Sequence, residues 1–411
     1  MRLVSRFRQK CTRCSKHFPF SLKGRCECGG TLLVEYDLEQ VSRSLHPSVL
    51  RERSATMWRY MELLPLEHEK SIVTLGEGWT PLLPMNPLER ELDIQGVYLK
   101  REEQNPTGSF KSRGFSSTLS LLKEHGVDHV AVPSNGNAAS AMAAYAARAQ
   151  IKSTVIVPKD CPGIIIEECL RYGALTYVVD GMIHDASCII EEGVKEQGWF
   201  HAGTLKEPGR VEGKKTMGLE LAEQLGWKLP DVILYPTGGG SGIIGMWKAF
   251  QELHQLGWVS GSLPRMVSIQ EEGCQPLVDA MTRGAFTASP PDSVRSNPTG
   301  LRVPNPPDGE LVVRILKQSQ GAAVSVTAEE IQSAQKRLGR LGISSSPEGA
   351  ATLAGLLQLQ EKGWIARSET VVLFNTSHAD KYLPYAPSAT VPIIKTYADL
   401  RKHLQKSSGA N

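Results

Sequence analysis

Lys111 closes the run Asn105-Pro106-Thr107-Gly108-Ser109-Phe110-Lys111 and is followed by Ser112-Arg113-Gly114. A lysine held behind a Gly-Ser-Phe turn and drawn out of water has a lowered pKa, and its free amine can attack a carbonyl to form a Schiff base. The turn residues at 105–108 and the aromatic Phe110 beside the amine set this lysine apart from the many solvated ones. A second signal is Pro236-Thr237-Gly238-Gly239-Gly240-Ser241-Gly242, a turn between an apolar strand ending at Tyr235 and a helix expected from Ile243. Gly238, Gly239, Gly240, Ser241 and Gly242 let backbone N–H groups approach an anion, and the following helix adds the positive end of its dipole. The turn has neither the lysine of a Walker loop nor G-x-G-x-x-G spacing. A Schiff-base lysine combined with a phosphate cradle points to pyridoxal phosphate as the cofactor.

Two further segments could complete such a site. Ser134-Asn135-Gly136-Asn137 joins an apolar strand to an Ala-rich helix. Its N–H groups could hold a substrate carboxylate, although Ser and Asn are also the ordinary residues of a helix cap. Asn375-Thr376-Ser377-His378 follows the last strong strand, where ligands of open α/β sheets bind. Thr376 is placed to hydrogen-bond a pyridine nitrogen. His378 could carry a proton near neutral pH, but an ordinary loop histidine is the preferred reading.

Cys11, Cys14, Cys26 and Cys28 crowd the N-terminal region, whereas Cys161, Cys169, Cys188 and Cys274 are scattered. Four thiolates suit a closed zinc site, and in a reducing compartment a metal is expected ahead of disulfides. The second pair has one spacer residue where the commoner ribbon has two. The unit is basic, with Arg2, Arg6, Arg8, Lys10, Arg13, Lys16, Lys23 and Arg25 against Glu27. It lacks the aromatic interleaving of a nucleic-acid face, so a solvated face is expected.

The elements that must carry these residues alternate in type. Short apolar strands at 130–132, 154–157, 177–179, 232–235, 266–269 and 371–374 are separated by helical stretches such as 138–149, 217–225 and 349–360. That rhythm predicts an α/β protein with mostly parallel sheets covered on both faces. Residues 51–69 are expected to be helical, and the Pro-rich stretches at 289–291 and 303–307 to be surface loops. The chain has 411 residues, 41% hydrophobic and 22% charged, with a net charge of +3. That length allows a sizeable core, and so small a charge does not call for a nucleic-acid or membrane partner. No apolar run reaches bilayer length, the basic N-terminus lacks a signal-peptide core, and a cytoplasmic protein is expected.

These segments, in this order, resemble the threonine synthase family, within the larger tryptophan-synthase-β-like group of pyridoxal phosphate enzymes. The resemblance runs from about residue 74 to residue 381 and is most specific at 105–114. It also takes in residues 210–216 and Glu348-Gly349-Ala350-Ala351. It implies two open, mostly parallel sheet domains with the cofactor between them, behind a zinc-ribbon-like unit at 1–45. The larger domain would comprise 46–115 and 200–400, and the smaller one 116–199. By the resemblance, Lys111 is the catalytic lysine, Phe110 and Asn137 lie by the cofactor, and residues 238–242 hold its phosphate. Thr376 partners the ring nitrogen, and Ser134, Asn135, Gly136 and Arg210 face the substrate. The implied reaction converts O-phospho-L-homoserine and water to L-threonine and phosphate, in a homodimer acting on a small amino acid. The sequence departs from the family at 203–209, at Ala138, and at Ser377 and Ala379. These departures leave open a β-elimination or β-replacement enzyme, of dehydratase or cysteate-synthase type, or a non-catalytic ribbon-bearing binding protein.

Overall fold

The computed structural model describes residues 6–296, 298–386 and 389–408. The predicted strands all form, and they sort into separate sheets. Six strands make a sheet in the order Ala322–Val326, Arg265–Glu271, Val232–Pro236, Thr370–Asn375, Gly96–Arg101, Leu82–Pro84. All neighbours are parallel except the edge strand Leu82–Pro84. Its central strand Val232–Pro236 is buried at every position, as expected where helices cover both faces. A second sheet, parallel throughout, has the order Ile393–Ile394, Leu175–Val179, Lys152–Pro158, His129–Pro133, Phe200–His201.

The chain therefore crosses to the second sheet after residue 124 and returns to the first after residue 201. The expected partition places residues 393–394 with the larger unit. They pair instead with Val178 and Val179 of the smaller sheet, and the helix Tyr397–Ser408 packs beside them. The N-terminal region forms an antiparallel three-stranded sheet, His17–Pro19, Phe7–Cys11, Leu32–Tyr36.

Residues 51–69 differ from expectation. They hold a 3₁₀ helix at Met57–Leu63 with a kink at Tyr60, rather than a long α-helix. Tertiary contacts override local propensity here. Arg53 pairs with Glu62, and buried Arg59 donates to Leu50 O and to Glu223 Oε1.

A buried charge network fixes the helix that begins at Lys111. Arg113 donates from Nε to Glu102 Oε2 at 2.7 Å and from Nη2 to Glu220 Oε2 at 2.7 Å, while Lys100 Nζ lies 3.0 Å from the same Glu220 oxygen. Burial alone would raise the Glu220 carboxyl, but Arg113 and Lys100 reverse the effect and bring its pKa to about 2. The helices Lys111–Glu124 and Gly209–Gln224 also approach closely at Gly213. A Cβ there would lie 2.1 Å from Arg113 O, so only glycine fits. Lys111 and Arg210, at the first turns of these two helices, are thereby held in fixed relation.

Candidate active site

A cavity of about 510 Å³ opens where the carboxyl ends of strands from both sheets face each other. Lys111, Phe110, Ser134, Asn135, Gly136, Asn137, Arg210, Gly238, Gly239, Gly240, Ser241, Gly242 and Thr376 all line it. Residues singled out from five distant stretches of chain thus meet in one place.

Lys111 is the first residue of its helix, and its amine lies 4.1 Å from the centroid of the Phe110 ring. Its pKa is drawn down to about 7, first by burial and then by Arg210, with Glu348 opposing. The lysine segment is pinned to the late loop: Phe110 N donates to Thr376 O at 3.0 Å, and Ser109 pairs with Ser377 in an antiparallel bridge. Ser134 Oγ accepts from Ala139 N at 3.1 Å and from Gly136 N at 3.2 Å, so this serine takes up an N–H of the first helical turn from two residues ahead of the N-cap, Gly136. Asn137 Nδ2 donates to Ser377 Oγ at 3.0 Å, while the Oδ1 atoms of Asn135 and Asn137 are buried without a partner among the described residues. Gly240 has φ of +77° and starts the helix Ser241–Gln255.

Lys214 was not singled out by itself in the sequence, although the spacing Arg210–Lys214 puts both on one helix face. Its Nζ donates to Ser241 Oγ at 2.6 Å. Lys215, one residue on, turns away to Glu212 and Glu252. Burial, Arg210 and Lys111 together push the Lys214 pKa well down, and burial brings that of Arg210 to about 10 against Glu207. Arg210 makes no ion pair among the described residues. Its Nη1 donates to Ala202 O at 3.2 Å, its guanidinium stacks on Phe115, and its Nε is buried without a partner. Arg210 disfavours the charged forms of both lysines, and Lys111 disfavours that of Lys214, so three buried basic groups crowd one cavity. An anion entering it would favour their charged forms.

Glu348, Tyr382, Thr299 and His201 complete the wall. Tyr382 OH donates to Glu348 Oε1 at 2.7 Å, and Glu348 Oε2 is buried without a partner among the described residues. His201 is held down to a pKa of about 4, mainly by burial, and stays neutral. The stretch 303–307 is not merely a surface loop. Val303, Pro304, Asn305 and Pro307 form one side of the cavity. His378 does not line it. Its Nδ1 lies 3.3 Å from Ser344 Oγ and 3.2 Å from Asp380 Oδ2, the setting of a loop histidine.

The cavity fits pyridoxal phosphate. It offers a desolvated lysine for the aldehyde, a Gly-rich helix start for the phosphate and the unpartnered Asn137 Oδ1 for a ring substituent. Residues 73–377 match the model of the family described as pyridoxal-phosphate dependent enzyme. A threonine synthase of Methanocaldococcus jannaschii is 36% identical over 95% of this chain and 97% of its own length. The chain belongs to the threonine synthase family of pyridoxal-phosphate dependent enzymes. A threonine synthase of Methanosarcina acetivorans is 37% identical over 86% of each chain. Among solved structures, maize serine racemase shares the fold, with a TM-score of 0.63 at 21% identity over 80% of this chain and 93% of that one.

At the N-terminus the thiol sulfurs of Cys11, Cys14, Cys26 and Cys28 lie within 4.8 Å of one another. Cys11 and Cys28 are 3.4 Å apart and Cys14 and Cys26 3.8 Å, close to the ~3.8 Å between thiolates on one tetrahedral zinc. The backbone N–H groups of Arg13 and Cys14 point at Cys11 Sγ, as they do around a metal-bound thiolate. The turn that carries the second pair closes with Gly29 N donating to Cys26 O at 2.9 Å, and Gly29 has φ of +82°. The cluster is compatible with zinc. No helix among the described residues is long and apolar enough to cross a membrane.

Proposed function

We propose that this protein is a pyridoxal phosphate-dependent threonine synthase, a lyase converting O-phospho-L-homoserine and water to L-threonine and phosphate. The observation that carries the reading is the cluster of three buried basic groups, Lys111, Arg210 and Lys214, at a cavity with a Gly-rich helix start. A cofactor phosphate and a substrate phosphate are the anions such a cluster would balance.

In this reading residues 238–242, backed by Lys214, hold the cofactor phosphate, Asn137 meets the cofactor's 3-hydroxyl and Thr376 meets its ring nitrogen. Bound pyridoxal phosphate supplies an electron sink for charge developing at Cα. The N–H groups around Ser134, Asn135 and Gly136 orient the substrate carboxylate. Lys111, with a pKa of about 7, is suited to take the Cα proton and to shuttle one at Cβ as the Cγ–O bond breaks. Water then adds at Cβ, and a proton delivered to Cγ completes the methyl group. Arg210 stabilises the leaving phosphate, whose charge grows as the bond breaks. The expectation of a cytoplasmic homodimer travels with this reading, and sedimentation of the purified holoenzyme tests the oligomer.

A panel of phosphorylated and acetylated amino acids, scored for phosphate, threonine and keto-acid release, tests the assignment. Threonine and phosphate in equal amounts from O-phospho-L-homoserine support it. Keto-acid release from serine or threonine derivatives alone replaces it with the β-elimination alternative.

A further inference from the structure

The N-terminal cysteine unit does not stand apart from the active-site cavity. Gly24 N donates to Lys206 O at 2.9 Å, and a Cβ on Gly24 would lie 2.5 Å from Leu205 O. Leu205 is buried with φ of +59°, a conformation that costs a non-glycine residue energy and persists only where its surroundings enforce it. Two residues on, Glu207 accepts from the backbone N–H groups of Gly209 and Arg210 and so sets the start of the Arg210 helix. On the other side, Arg25 donates to Pro307 O, and Thr31 Oγ1 donates to buried Asp308 at 2.5 Å. Asp308 caps the helix Gly309–Gln318.

The two clamped segments converge on the Gly-rich turn. A Cβ on Gly239 would lie 3.2 Å from Thr204 Cγ2 and 3.7 Å from Pro307 Cδ. Residues 204 and 307 therefore both crowd the position a Gly239 side chain would take, and each adjoins a segment held by the cysteine unit.

We propose that the cysteine unit is a positioning element for the phosphate cradle, with Gly24, Arg25 and Thr31 holding the segments that carry Thr204 and Pro307 against Gly239. The inference rests on the reading of residues 238–242 as the phosphate site. Its residues act through the cavity wall and touch neither cofactor nor substrate. The unit's fold thus sets how tightly a phosphate is gripped some distance away.

The test compares pyridoxal phosphate with pyridoxal, which lacks the phosphate, by absorption titration of the full-length apoprotein. The variants are Thr31→Val, Arg25→Ala and the pair combined, with Arg25→Lys as the conservative control and thermal unfolding followed alongside. The combined variant is expected to bind pyridoxal phosphate on the order of tenfold more weakly, the value of about one such hydrogen bond. Its pyridoxal affinity should be unchanged, and Arg25→Lys should recover part of the loss. If the variants keep the wild-type preference for pyridoxal phosphate, the clamp is refuted while the phosphate site stands. If the wild type itself binds both compounds equally, residues 238–242 are not the phosphate site, and both readings fall. Thr31→Val alone keeps the branched shape of the side chain while removing its hydroxyl, so it supplies the answer if the combined variant does not fold.

Discussion

Lys214 Nζ lies 2.6 Å from the Oγ of Ser241, the first residue of the helix that leaves the Gly-rich turn. The pair ties a buried cation to the backbone groups that would grip a phosphate. With Lys111 and Arg210 beside it, Lys214 is destabilised in its charged form until an anion arrives. Replacing it with the similarly long but neutral Met should weaken pyridoxal phosphate binding by ~1.5–3 kcal/mol, the value of a hydrogen bond to a charged group. Equilibrium titration of the variant's absorption reads the loss. An unchanged affinity would show that Lys214 serves packing only.

In the proposed reading, Arg210 is the residue that selects a phosphorylated substrate. It does not pair with Glu212, which is held by Lys215, Lys248 and Tyr36. Arg210→Ala should slow phosphate release by ~2.7–4 kcal/mol of barrier, on the order of a hundredfold to a thousandfold. Solvent exchange of the substrate α-proton should be spared. If exchange and phosphate release fall together, Arg210 is a structural residue.

Arg113 is the centre of a network with no exposure to solvent. Arg113→Met leaves Glu102 and Glu220 buried with less compensation, and removing one member of such a network costs ~3–5 kcal/mol. Urea unfolding of the variant should show that loss as a lowered midpoint at an unchanged slope. A loss below about 1 kcal/mol would mean that the carboxylates find other partners.

The lowered pKa of Lys111 makes the apoprotein's stability depend on pH. From its ordinary value of 10.5 down to about 7, the unfolded chain binds a proton that the folded chain refuses. This group's contribution therefore falls as pH drops through that window, and stability rises with pH there. Apoprotein carrying Lys111→Met should be more stable than wild type near pH 7, with the difference shrinking towards pH 10.5. Parallel unfolding curves at all pH values would contradict the buried-amine account.

The cavity was legible where chemistry demands particular residue types next to each other in sequence. Lys111 behind its turn, the glycines at 238–242 and the loop at 134–137 each carry their reason locally. The central strands were legible because burial on both faces leaves unbroken apolar runs, as at 232–235. What the sequence hid depends on distant partners. Lys214 and Lys215 look alike in sequence, and only the helix phase sends one to Ser241 and the other to Glu212 and Glu252. The left-handed turn at Leu205 has no local signal, and its close neighbour Gly24 is distant in sequence. Residues 303–307 read as a surface loop since proline marks irregular backbone without saying what that backbone encloses.

The central claim is that Lys111 is the residue that holds the cofactor in the cavity. Borohydride reduction of the pyridoxal phosphate-loaded protein, followed by peptide mapping by mass spectrometry, tests it directly. The account predicts a single phosphopyridoxyl group on the peptide containing Lys111, and none there in Lys111→Ala. A stoichiometric adduct on Lys214, Lys206 or any other lysine of the wild-type protein, with Lys111 unmodified, would contradict it.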